Sequence, residues 1–182
     1  MAEEIGAKNL VLSGSPGVGK TTLLRELLLP YRSRAGGFLT EELLEGRQRM
    51  GFLLKTLDGR QGVLASKALA SPQRLNKYGV DMRVLEDLGV ESLRRAARES
   101  DLVVIDEIGS MEILSGDFRA AVLECFAGEK PVLATIRHSA QPFTDAVKKM
   151  EDTALVVLSR PTYPEVREQV RSWLRSKLAE EE

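Results

Sequence analysis

The string Gly14-Ser15-Pro16-Gly17-Val18-Gly19-Lys20-Thr21 constrains this chain more than any other feature of it. It has the spacing G-x-x-x-x-G-K-[ST] of a phosphate loop (Walker A), and it lies between an apolar run, Asn9 to Ser13, and a helical stripe of Leu23, Leu24, Leu27 and Leu28. Glycines let the backbone turn around an anion with successive N–H groups aimed inward. The helix that starts at Lys20-Thr21 adds the positive end of its dipole at the same spot. Lys20 brings a point charge to the β- and γ-phosphates. The Thr21 hydroxyl is a ligand for Mg²⁺, and Thr22 is placed to hydrogen-bond an α-phosphate oxygen.

The second signal is an apolar strand that ends in two carboxylates, Leu102-Val103-Val104-Ile105-Asp106-Glu107. A phosphate loop alone holds Mg²⁺ poorly, and a carboxylate at a neighbouring strand tip completes the site, so Asp106 is read as the metal's acidic partner beside Thr21. Glu107 is the group to orient and deprotonate a water. Glu112, after Gly109, is a second candidate for that role. Asp106-Glu107-Ile108-Gly109 also matches D-x-x-G, but Asn76-Lys77-Tyr78-Gly79 lacks the aspartate of a guanine-selecting N-K-x-D, so no GTPase switch is read. The expected nucleotide-contacting set is Gly14 to Thr22 together with Asp106, Glu107, Ile108 and Gly109.

Around these motifs, strands and helices alternate. Phe38–Leu43, Met50–Leu57 and Gly62–Ala65 are separated by Glu45-Gly46 and Asp58-Gly59, which predicts an antiparallel meander inserted over residues 37–66. Residues 67–78 read as a surface loop. Residues 83–99 read as a helix, with Gly89 as a candidate break. Strands follow at 102–105, 131–136 and 154–158. Helices are expected around Phe118–Phe126, with Gly128 as C-terminal stop, over 141–150, and from Val166 to Leu178. Such alternation implies an α/β fold of one domain spanning 1–182, with a mostly parallel sheet, helices on both faces and ligands at the carboxyl ends of the strands. Residues 179–182 read as a solvated tail.

Composition narrows the partners. Lys and Arg number 26 against 27 Asp and Glu, a net charge of -1, so no nucleic-acid partner is expected. The single Cys125 forms no intrachain disulfide. With His138 the only histidine, no structural zinc site is expected either. The N-terminus is acidic and no apolar run reaches membrane-spanning length, so a cytoplasmic protein with no membrane association is expected.

The phosphate loop, then Gly37-Phe38-Leu39-Thr40-Glu41-Glu42, Gly51-Phe52, Thr56-Leu57 and Gly62, then Val104 to Glu112 with the string D-E-I-G-S-M-E, resemble one family. It is the small P-loop nucleoside-triphosphatases of thermophilic prokaryotes and animals, the THEP-type and cancer-related nucleoside-triphosphatases. The resemblance runs from about Lys8 to about Lys177. It implies a RecA-like domain that cleaves the γ-phosphate of ATP, GTP, CTP and UTP with Mg²⁺ as cofactor and broad base selectivity; a monomer is expected. The string Ser159-Arg160-Pro161-Thr162-Tyr163 departs from the family's pattern, which leaves base contacts there open.

Two other readings use the same phosphate site. One is a kinase whose acceptor sits near residues 40–42 and 67–78. The other is a binding module switched by its nucleotide. Thr135, at the end of the strand after the acidic one, is read either as a γ-phosphate sensor or as a satisfied strand-end hydroxyl. Glu41 is read as facing the γ-phosphate or not. Arg137 and Arg160 read first as solvated surface arginines, Cys125 and Trp173 as core. No arginine finger is assigned, so slow turnover in isolation is expected.

Overall fold

A computed structural model describes residues 3–179. Among the described residues, nine strands form one sheet: β1 (Asn9–Ser13), β2 (Ala35–Glu45), β3 (Gln48–Thr56), β4 (Gln61–Ser66), β5 (Arg74–Leu75), β6 (Tyr78–Val80), β7 (Leu102–Ile108), β8 (Val132–Ile136) and β9 (Thr153–Val157). Their order is β5-β6-β4-β3-β2-β7-β8-β1-β9. The strands β2, β7, β8, β1 and β9 run parallel. The other half is antiparallel, and β2 belongs to both. Its residues 35–38 pair with β7, while from Phe38 onward it pairs with β3.

The helices are α1 (Lys20–Leu28), α2 (Met82–Val84), α3 (Glu91–Glu99), α4 (Gly116–Ala127), α5 (Pro142–Lys148) and α6 (Tyr163–Lys177). Alternation along the central strands splits their side chains between two cores. Leu10, Leu12, Leu102, Val104 and Leu133 pack with Leu23 to Leu28 of α1 and with Val166, Val170 and Trp173 of α6. Val11, Val103, Ile105, Val132 and Ala134 pack on the other face with Leu93 of α3 and with Phe118, Val122 and Phe126 of α4. Burial on both faces is why these strands read as unbroken apolar runs. No helix among the described residues is long and apolar enough to cross a membrane.

Two local expectations are corrected. The predicted helix over 83–99 is α2, a π-helical stretch over Leu85–Val90, and α3. Gly89 sits inside the π-helical stretch, where a Cβ would meet Leu54 Cδ1 at 3.2 Å. Residues 67–78 are not all loop, because β5 and β6 form a hairpin. Tyr78 is buried there against the Phe52 ring, 5.5 Å away, and its hydroxyl accepts from Arg49 Nε at 3.1 Å. Gly128 stops α4 as expected, with φ -77°. The Lys8 ammonium serves there, donating to the carbonyls of Phe126 and Gly128. Residues 180–182 of the predicted tail lie outside the described residues.

Candidate active site

The phosphate loop joins β1 to α1. Gly19, the N-cap residue of α1, has φ +103°, a conformation that side-chain-bearing residues rarely adopt. No side chain caps this helix, and its first turn holds no acidic residue. Its unpaired N–H groups therefore face the loop with nothing intramolecular competing for them. Ser15, Pro16 and Gly17 form the exposed rim, and Val18 leans on the core under α1 and α6. Lys20 Nζ donates to the Gly14 carbonyl at 2.6 Å and lies 3.8 Å from Glu107 Oε2. Thr21 Oγ1 donates to Asp106 Oδ1 at 3.1 Å, whereas Thr22 is exposed.

At the tip of β7 the register with β8 slips. Ile105 pairs with Ala134 but Ile108 pairs with Ile136, so two residues, Asp106 and Glu107, stand opposite Thr135 alone. This bulge interrupts strict alternation and brings both carboxylates to the P-loop side. Asp106 is 1% exposed. It accepts from Thr135 Oγ1 at 2.6 Å, from Thr21 Oγ1, and at Oδ2 from the Thr40 N–H at 3.4 Å. Burial pushes its carboxyl above the usual range, and the Thr135 and Thr21 hydroxyls pull against that. Burial also raises Glu107, with Lys20 opposing.

Gly109 is the close approach that lets the acidic segment fold over itself. A Cβ there would stand 2.5 Å from Glu107 Oε1 and 3.0 Å from Glu112 Oε2. The two glutamates thus converge on one glycine. Glu112 is buried, and burial together with the charge of Glu107 pushes its carboxyl up to about 8. Ile108 is fully buried, and its carbonyl accepts from the Arg137 N–H.

The structure therefore gathers Lys20, Thr21, Asp106, Glu107 and Glu112 at the tips of β1 and β7. The oxygen donors fit Mg²⁺, whose bonds of about 2.0–2.1 Å put adjacent octahedral ligands about 3 Å apart. Thr21 Oγ1 and Asp106 Oδ1 are 3.1 Å apart. Thr135 is bonded to Asp106 and is the satisfied hydroxyl of the two readings. Glu41 turns to Lys55, at 2.8 Å, and to Arg25. Arg137 is not a free surface arginine, since its guanidinium is held by Ser110 Oγ at 2.7 Å and by Ser139. Arg160 is exposed, and Cys125 and Trp173 are core. Two contributors were not read from the sequence: the Thr40 N–H on Asp106, and Tyr163, whose ring lies 3.4 Å from where a Gly19 Cβ would stand.

A sheet whose parallel half carries a phosphate loop after β1 and a carboxylate at the tip of β7 defines a nucleotide-binding α/β protein of the P-loop class. The comparisons narrow this further. The family model described as NTPase matches residues 9–171. The nucleoside-triphosphatase THEP1 of Thermotoga maritima is 47% identical over 150 residues, 82% of this chain and 86% of that one. The THEP1 of Aquifex aeolicus is 32% identical over 174 residues, covering 91% and 98%. The crystal structure of THEP1 from the hyperthermophile Aquifex aeolicus matches with a TM-score of 0.81 at 31% identity, over 89% of this chain and 96% of that one. The solution structure of a human cancer-related nucleoside triphosphatase matches with a TM-score of 0.79 at 29% identity, over 96% and 100%. The chain belongs to this nucleoside-triphosphatase family.

Proposed function

We propose that this chain is a Mg²⁺-dependent nucleoside-triphosphatase that cleaves the β–γ bond of ATP, GTP, CTP and UTP, acting as a cytoplasmic monomer built on one domain. The observation that carries the reading is the meeting of Lys20, Thr21, Asp106 and Glu107 at the tips of β1 and β7, which are not neighbours as expected but flank β8. The N–H groups of the loop and of the first turn of α1 hold the phosphates, and the Lys20 ammonium spans the β- and γ-oxygens. Thr21 and Asp106 are the residues that would hold Mg²⁺, and the ion would supply positive charge to offset that of the phosphates.

Glu107 accepts a hydrogen bond from the attacking water, aligns it with the γ-phosphorus and takes its proton as the P–O bond to the diphosphate breaks. Burial makes it a stronger base than a solvated glutamate. Glu112 packs behind it across Gly109. The residues gathered at the site are ones that act on phosphate, metal or water, which supports broad base selectivity. The test is phosphate release from each of the four triphosphates, with Mg²⁺ and after chelation by EDTA. Release from all four that chelation abolishes is expected. Release that chelation leaves unchanged, or that is confined to one base, contradicts the reading.

A further inference from the structure

Beside Thr40, on the α1 side of the sheet, a groove opens that hydrolysis does not use. One cavity of about 230 Å³ is lined by Arg25, Arg32, Thr40, Glu41, Lys55 and Leu57, among others. A second, of about 330 Å³, shares Arg32 and Leu57 with it and continues past the open edge of β2 at Gly36 and Gly37. There β3 has already ended, since the last β2–β3 pair is Phe38 with Thr56.

The charge in the groove is unbalanced. The first cavity has three cations in its wall, Arg25, Arg32 and Lys55, and one carboxylate, Glu41. Glu41 bridges Lys55 at 2.8 Å and Arg25 at 3.9 Å. Arg32 is exposed and makes no ion pair among the described residues. The acids of the second cavity are already engaged, Asp58 with Arg60 and Arg95, and Glu99 with Arg95. Arg32 is thus the unmatched charge, standing where the two cavities join. The groove also begins within one residue of the reaction centre, because Thr40 lines it and donates its N–H to Asp106 Oδ2.

We propose that this groove binds a small phosphomonoester, of about nucleoside-monophosphate size, with its phosphate on Arg32, Arg25 and Lys55. A phosphomonoester carries a charge of about -1.5 to -2 near neutral pH, which matches the surplus of the wall, and arginine forks suit its oxygens. Leu39 and Leu57 offer an apolar wall to the rest of the molecule. The placement beside a γ-phosphate rests on the triphosphatase reading, whereas binding in the groove does not.

The test is calorimetric titration of the full chain with AMP and with inorganic phosphate, in Mg²⁺ and a nonhydrolysable ATP analogue that fills the phosphate loop. Expected is binding of at least one probe at millimolar affinity or tighter, weakened at least about tenfold by Arg32→Gln combined with Lys55→Gln. Glu41→Gln should tighten it about threefold, a gain that a misfolded variant does not mimic. Absence of binding by both probes, or binding that these substitutions leave unchanged, overturns the proposal. Binding of the ATP analogue is read separately in the same experiment. Its failure counts against the triphosphatase reading, while the response to the substitutions still reports on the groove.

Discussion

Replacing Glu112 by glutamine removes a titration while nearly conserving volume. Glu112 is 6% exposed, and burial together with the Glu107 charge lifts its carboxyl from 4.5 to about 8. An acid whose folded pKa lies above its unfolded one binds its proton more tightly in the native state. Its contribution to stability is intact below about pH 4.5 and is lost as the pH climbs toward 8. A rise from 4.5 to about 8, at about 1.36 kcal/mol for each pH unit, amounts to about 5 kcal/mol, of which about 4 falls between pH 5 and 8.5. Relaxation and water entry around the charged form absorb part of this, so a difference of at least about 2 kcal/mol is expected. The assay is guanidinium unfolding of wild type and Glu112→Gln at pH 5 and pH 8.5. Subtracting one protein from the other cancels the titrations they share, apart from that of Glu107, which is coupled to Glu112. The variant should gain stability relative to wild type at the higher pH. A gap between the two proteins that is the same at both pH values, within about 0.5 kcal/mol, refutes the reasoning.

Lys20→Ala removes the ammonium that now reaches the Gly14 carbonyl and Glu107. Affinity for a labelled triphosphate should fall about a hundredfold, the equivalent of about 3 kcal/mol of charged hydrogen bonding, with the melting temperature little changed. Affinity within threefold of wild type contradicts the role given to this residue. Gly109→Ala places a methyl group 2.5 Å from Glu107 Oε1, so that carboxylate must move. In steady-state kinetics kcat should drop at least tenfold with KM within threefold, and an unchanged kcat would show that Glu107 need not sit where it does.

What was legible in the sequence follows from how each feature is encoded. The phosphate loop is a run of residue types with fixed spacing, and the central strands are branched apolar runs because both of their faces are covered. Asp106 was legible as a polar residue at the end of such a run. The bulge that turns Asp106 and Glu107 together was not, because an extra residue in one strand changes pairing and leaves composition untouched. Thr40 acts through its backbone N–H, which no side chain announces. The β5–β6 hairpin is only two and three residues per strand, too short to show alternation, and the cover over Tyr78 comes from Arg49 and Phe52 on β3. Arg137 looked like a surface arginine because the serines that hold it, Ser110 and Ser139, carry no charge to mark them as partners.

Hydrolysis here turns on a carboxylate that aligns water against a phosphorus held by the loop. Single-turnover phosphate release from Mg²⁺·ATP by Glu107→Gln, with binding affinity measured on the same protein, tests this most directly. Affinity within about threefold of wild type is expected, with release slowed at least about a hundredfold, in the range expected for loss of a general base. Release within threefold of the wild-type rate would contradict it, and would move the water-aligning role to Glu112.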